Sequence, residues 1–474
     1  MLIYLPVALL NMAVFFGMSL VLFLFLMRIL RLSDDSAPEY AVAGIGLGPL
    51  LVSWILKWLL TLMPGHSSTF YIVTIVALFA GMLWFGRTKF YLVGNLWRQF
   101  RNGIRRFSLR DRWYVAIPLL LAAEITVALF ITCLMLPLTG NDPLEYAVTA
   151  RLIYSHKAAA IYPFVTADPS TGFYAPLTHP LGYVMMMVWC HLLQGTVSHT
   201  MLLRTIAPFY MLCTLLLLWV TLERQRRGLG ALGVLLYSTV PLIGFVTGDC
   251  HIDPLRIHFF FAAFVVLARL IESPSGQRAI FAGLLTGAAM FTHSIGVLVP
   301  VFIVPVYVLL SRARWRPRLA HLATICGIAL VIAGHRYWVN QQLYGTPISN
   351  LIPVWEMPEI GYKDYLTHTR YMETFVDRYV FGLFKGFSKI DMFGFSYWFA
   401  AVGLLIGVWA HFRSSSLRVM GLVVICFYGV IVLMLLRGMP SAIMNDRYQL
   451  TVQPMIAFLG AFSFEWLLPK DADA

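Results

Sequence analysis

Long apolar runs separated by short polar segments dominate the chain. Runs of membrane-crossing length fall near 4–27, 41–63, 69–86, 114–138, 203–222, 229–247, 254–271, 319–336, 395–411, 418–436 and 450–468. The stretch 279–311 is one long run broken at Thr292-His293-Ser294, which splits it into shorter spans at 279–293 and 295–311. A helix needs ~20 apolar residues to cross the hydrocarbon of a bilayer. The pattern therefore predicts an all-α polytopic membrane protein of about thirteen spans, with juxtamembrane helices on its outer face. Barrel strands would instead be ~10-residue segments of alternating polarity.

Basic residues orient the spans. Arg28, Arg31, Arg87, Lys89, Arg98, Arg101, Arg105, Arg106, Arg110, Arg112, Arg224, Arg226, Arg227, Arg312, Arg314, Arg316 and Arg318 all fall in one alternating set of short loops. By the positive-inside rule that set is cytoplasmic. The N-terminus is then expected outside and the C-terminus inside. A further run, Leu181–Leu193, is apolar enough to suggest a span, but counting it would put Arg224, Arg226 and Arg227 outside. His179–Gln194 is therefore read as a juxtamembrane helix on or partly in the outer leaflet. Segment 87–113 mixes basic residues with Phe90, Tyr91, Leu96, Trp97 and Phe100, and reads as a helix lying on the cytoplasmic leaflet.

Composition narrows the class further. Of 474 residues, 59% are hydrophobic and 12% charged, and mean hydropathy is +0.77. Soluble domains carry roughly 25% charged residues, so a soluble globule and a disordered chain are both excluded. The net charge of +13 is explained by the cytoplasmic loops, so no nucleic-acid partner is expected. The first run has neither a basic segment before it nor a small-residue cleavage site after it, and reads as a retained helix. The six cysteines are scattered: Cys133, Cys213, Cys326 and Cys426 in apolar runs, Cys190 in a shorter one, Cys250 in a polar stretch. They form neither a disulfide framework nor a zinc spacing.

The acids that matter flank spans on the outer side. Asp142 and Glu145 follow the span 114–138, and Asp249 and Asp253 occupy the turn between 229–247 and 254–271. Rigid helices hold such residues at the membrane face, where a site can be preorganised. Asp253-Pro254 also has the form of a helix N-cap followed by proline. Asp249, His251 and Asp253 have a spacing compatible with a divalent metal, but no carboxylate-rich loop or second histidine pair supports one. No cofactor is expected. Glu124 is the acid well inside a span, and intramembrane acids are costly and usually functional; it is the best argument for a transporter. The outer cations are Arg447, beside Tyr448, with His179, His293, Arg256, Arg336 and Arg437. Acids facing Arg and His at the outer leaflet suit binding of a lipid-linked phosphate, which arginine grips bidentately, with acid–base chemistry alongside.

Four motifs, in order, resemble the GT-C glycosyltransferases, membrane enzymes that use polyprenyl-phosphate sugars. They are Asn141-Asp142-Pro143-Leu144-Glu145-Tyr146, Thr178-His179-Pro180-Leu181-Gly182-Tyr183, Ile252-Asp253-Pro254-Leu255 and Asn445-Asp446-Arg447-Tyr448, the last before a span containing Pro454. The pattern is most similar to the lipid A aminoarabinose transferase and protein O-mannosyltransferase branch and runs from about 114 to 468. Three spans before 114 are additional to the usual start, and His179 and His293 stand where the family often has Lys.

The resemblance implies four regions: additional N-terminal helices with the basic interfacial helix (1–113), a GT-C-like catalytic module (114–336, first outer loop 139–202), an outer loop with interfacial helices (337–394), and C-terminal helices (395–474). It implies an inverting glycosyltransferase moving a sugar from a polyprenyl-phosphate donor to a hydroxyl of a cell-envelope glycan or glycolipid. The setting would be a bacterial inner membrane, with the site facing the periplasm. Asp142 would be the general base and Asp253 would orient the acceptor. Arg447, Tyr448, His179 and His293 would hold the donor phosphate, and Glu145, Tyr146, Asp249 and His251 the acceptor. A lipid-linked glycan polymerase or ligase, and a lipid or solute transporter, remain alternatives.

Overall fold

The computed structural model describes residues 4–32, 37–106, 113–138, 141–159, 180–344, 347, 385–411, 414–436 and 446–468. Among the described residues there are helices and no strands. Lipid offers no hydrogen-bond partner to the backbone, so a spanning chain satisfies its amides internally and becomes helical.

Helix α1 (Tyr4–Ile29) is followed by α2 (Ala37–Gly44) and α3 (Leu47–Leu62), which meet at a 45° bend. Gly46 lies in that bend. A Cβ there would sit 2.6 Å from the Tyr210 ring and 2.8 Å from that of His258, so only glycine fits. Helix α4 (Ser68–Gly86) is capped by Ser67, whose hydroxyl accepts from the Phe70 amide. Then come α5 (Tyr91–Arg106), α6 (Trp113–Met135), α7 (Asn141–His156), α8 (Gly182–Gln194) and α9 (Ile206–Glu223). Helices α10 (Leu229–Ser238) and α11 (Pro241–Gly248) are bent by 65°; Pro241 has no amide to continue α10 and instead starts α11. The chain continues through α12 (Asp253–Glu272), α13 (Gly276–Thr292), α14 (Leu298–Leu310), α15 (Trp315–Tyr344), α16 (Ser396–His411) and α17 (Ser415–Leu436). A 3-10 segment, Asp446–Val452, leads into α18 (Gln453–Ala461).

The bundle is organised around α12. Every residue from Asp253 to Ile271 is buried, and the helix packs on α9, α13, α17 and the 3-10 segment before α18. Its two ends carry ionic networks. At the C-terminal end Arg269 pairs with Glu39 of α2 and with Glu272, while Arg224 at the end of α9 donates to Glu39 at 2.8 Å. At the N-terminal end Asp253 and Arg256 begin the network described below.

Each of the thirteen predicted spans coincides with a helix or a bent pair of helices, but not each is by itself long and apolar enough to cross a bilayer. Among the described residues eight helices qualify, or ten when each bent pair counts as one span. The chain is an integral membrane protein on that evidence. The segments 295–311 and 395–411 fall on shorter apolar helices, and 279–293 on the 17-residue α13. The break at Thr292-His293-Ser294 is present: α13 ends at Thr292, His293 is extended, and a 3-10 turn opens α14.

Two expectations are corrected. Helix α8 does not lie on a surface. Gly182–Leu192 are all buried, against α3 and α7 among others. At 13 residues it is ~20 Å long, too short to span, and being apolar on every side it packs on every side. Glu124 of α6 is exposed on the outside of the bundle rather than lining an interior path, which removes the feature that favoured a transporter.

Candidate functional site

Three segments far apart in sequence meet at the N-terminal end of α12. The first is the start of α7, with Asp142, Glu145 and Tyr146. The second is the turn between α11 and α12, with Asp249, Cys250, His251 and Asp253. The third is the 3-10 segment before α18, with Arg447 and Tyr448.

Arg447 is the hub. Its Nη1 donates to Asp142 Oδ2 at 2.6 Å; its Nη2 and Nε both donate to Asp253 Oδ2, at 2.7 and 3.0 Å. The other Asp253 oxygen accepts from Arg256 Nη2, which also donates to the Arg447 carbonyl at 2.8 Å. Asp253 is fully buried, so the two guanidinium groups replace the water its charge has lost. Asp142 is the outward member, with 39% of its side chain exposed, against 21% for Arg447.

His251 closes one side. Its Nε2 is 3.1 Å from Asp249 Oδ2, and its Nδ1 stands 4.0 Å from both Asp142 Oδ2 and Asp253 Oδ2. Burial, then the Arg447 charge, pushes this imidazole below its ordinary pKa. On the other side the Glu145 carboxyl is half-buried one turn after Asp142. Burial and the Asp142 charge push it up to about 8, so it is mostly protonated at neutral pH. Tyr146 is buried and packs edge-on against Tyr183 of α8, ring centroids 5.5 Å apart. The Tyr183 hydroxyl donates to the Cys250 carbonyl. Helix α8 thus buttresses both α7 and the turn before α12.

The sequence placed Asp142, Glu145, Tyr146, Asp249, His251, Asp253, Arg447 and Tyr448 in the site, and the structure brings all of them to the N-terminal end of α12. The expected arrangement, acids on one side and cations on the other, is replaced by direct ion pairs. Asp253 does not act as a helix N-cap: Ile252 holds that position without a side-chain cap, and the Asp253 carboxylate turns to the arginines. His293 serves its own turn, its Nδ1 accepting from the Ile295 amide at 3.0 Å. His179 lies outside the described residues. Arg256 was legible only as one of several outer cations, although its position three residues after Asp253 on a helix is the spacing of an ion pair.

Arg447 occupies the space between Asp142 and Asp253. Among the described residues no group of three or more His, Cys, Asp or Glu is arranged to hold a metal.

Residues 178–338 match the family model of dolichyl-phosphate-mannose-protein mannosyltransferases. The matched segment holds α8, the Asp249–Asp253 turn, all of α12 and His293. Among solved structures, the crystal structure of ArnT from Cupriavidus metallidurans bound to undecaprenyl phosphate is similar at 16% identity, with a TM-score of 0.49. The match covers 73% of this chain and 60% of that one, so the chain spans less than two thirds of that protein's length. No curated protein matches the chain. The family match bears out, over residues 178–338, the chain's resemblance to the GT-C membrane glycosyltransferases.

Proposed function

We propose that the protein is an inverting glycosyltransferase that moves a sugar from a polyprenyl-phosphate donor to a hydroxyl of a cell-envelope glycan or glycolipid at the outer membrane face. The observation that carries this reading is Arg447, joined to Asp142 and Asp253 across three segments, with Asp142 the solvent-facing acid. The family match over residues 178–338 supports sugar transfer as the reaction class.

In this reading Asp142 takes the acceptor proton as the acceptor oxygen attacks the anomeric carbon. The leaving phosphate needs little protonation and is stabilised by charge. Arg447 couples the two ends. A donor phosphate that draws Nη1 away from Asp142 leaves that carboxylate free to act as base only when donor is present. Asp253 keeps Nε and Nη2, so the guanidinium stays aimed. Glu145 supports a second assignment. Burial and the Asp142 charge push its pKa up to about 8, which is matched to proton abstraction near neutral pH.

The reading is tested by binding of polyprenyl phosphate to the purified full chain. Arg447→Ala removes a charged hydrogen-bond donor, which contributes ~1.5–3 kcal/mol, or roughly tenfold to a hundredfold in affinity. Arg447→Lys keeps the charge without the planar fork and should fall between Arg447→Ala and the parent protein. Folding is checked by thermal unfolding. Unchanged affinity in a folded Arg447→Ala removes the donor end of the proposal.

An apolar groove of ≈ 590 Å³ between α1, α3, α4, α13 and α15 offers a place for the prenyl chain. Phe291 of α13 lines it and also abuts Gly182 at the start of α8, next to Tyr183. The groove and the carboxylate–arginine cluster are therefore joined through one packed helix. Gly327 of α15 faces the groove, and a Cβ there would meet nothing within 4 Å. Gly327→Leu should fill it without a clash and, by helix propensity, without cost to α15. Affinity for a long-chain prenyl phosphate is expected to drop about tenfold, since several buried methylenes contribute ~0.8 kcal/mol each. A short-chain analogue should be unaffected. Equal loss for both chain lengths would place the tail elsewhere.

A further inference from the structure

Cys133 lies near the end of α6 and Cys250 in the turn that carries the site, 117 residues apart in sequence, yet their sulfurs are 3.1 Å apart. That is closer than two non-bonded sulfurs pack and about 1 Å longer than a disulfide bond of ~2.05 Å. Both side chains are buried, and both approach the Arg204 carbonyl, Cys133 at 2.9 Å and Cys250 at 3.9 Å. Cys250 is the thiol at long range from that carbonyl. The backbone of Cys250 is itself constrained: φ is +58°, a left-handed conformation that residues with a Cβ rarely adopt. The Tyr183 hydroxyl holds that conformation by donating to the Cys250 carbonyl. In this pose Cys250 points at Cys133.

We infer that Cys133 and Cys250 form a disulfide that ties α6 to the turn bearing Asp249, His251 and Asp253. The two thiols give up two protons and two electrons to a disulfide-carrying oxidant, which is reduced to its dithiol as the Cys133–Cys250 bond forms. Disulfides form and persist in oxidising compartments, and the inference rests on the outer-face placement proposed above for this turn. The bond forms before the bundle closes. Once packed, both sulfurs are buried and out of reach of a reductant. The link ties the end of α6 to the turn between α11 and α12, beside the Arg447 bridge that joins Asp142 to Asp253. It does not depend on which reaction the site performs.

The test counts thiols on the full chain from membranes denatured in the presence of a maleimide, so that buried free thiols are also labelled. The chain has six cysteines. Four adducts before reduction and six after are expected, with peptide mapping giving a 133–250 crosslink. Cys133→Ser should take up five adducts without reduction, because Cys250 is released. Six adducts on the unreduced parent chain, or a crosslink joining any other pair, overturns the inference.

Discussion

Asp142→Asn is expected to lower sugar transfer by ~10²–10⁴, the range lost with a positioned general base, while polyprenyl-phosphate binding stays nearly intact. Asparagine keeps the shape and can still meet Arg447 Nη1 with its carbonyl oxygen, so the site should remain assembled. More than half of parental turnover in this variant would remove Asp142 from the base position. Glu145→Gln, measured beside it, separates the two candidate bases. Glu145 has its pKa raised to about 8, and a base acts when deprotonated. If Glu145 is the base, activity climbs with pH through about 8, and Glu145→Gln abolishes both the activity and that limb. If Asp142 is the base, Glu145→Gln keeps most of the activity.

Asp253→Ala is expected to give the largest loss of stability, ~3–5 kcal/mol, the cost of removing one partner of a buried ion pair. Both Arg256 and Arg447 would lose their shared carboxylate, and Arg256 is itself almost fully buried. Arg256→Met should cost less, because Asp253 would keep Arg447 and methionine fills the vacated apolar volume. Thermal unfolding of both variants in one detergent, with exposed Arg98→Ala as reference, gives the order. An Asp253→Ala midpoint as high as that of the Arg98→Ala reference would mean the network carries no stability. The same surroundings explain why this end of α12 can be ordered at all. Two cations and the Asp249–His251 pair enclose a charge that lipid would otherwise exclude.

The positions of the helices were legible in the sequence because a bilayer enforces them. A backbone in hydrocarbon must be helical and long enough to cross, so α1, α4, α6, α9, α12, α15 and α17 announce themselves as apolar runs. The interruption at Thr292-His293-Ser294 is equally plain, since polar side chains in a long apolar run mark a place where the helix stops. The residues of the site were legible too, as acids and an arginine left at the ends of those runs.

What the sequence could not show is which face of each helix turns inward. In a soluble protein the polar face declares itself. In a membrane protein the lipid-facing and core-facing residues are equally apolar, and the period is lost. Helix α12 is buried along its whole spanning window and α6 along 17% of its own, yet both read as the same kind of apolar run. The same blindness hid the burial of α8, the outward position of Glu124 and the meeting of Cys133 with Cys250. The ion pairs of Arg447 with Asp142 and Asp253 join residues 305 and 194 positions apart, and no local spacing encodes such distances. Apolar length alone determined that the chain crosses a membrane and where it does so. Packing alone decided that Asp253 would hold two arginines instead of capping its helix, because only the folded bundle brings Arg447 to a carboxylate that has no water left to turn to.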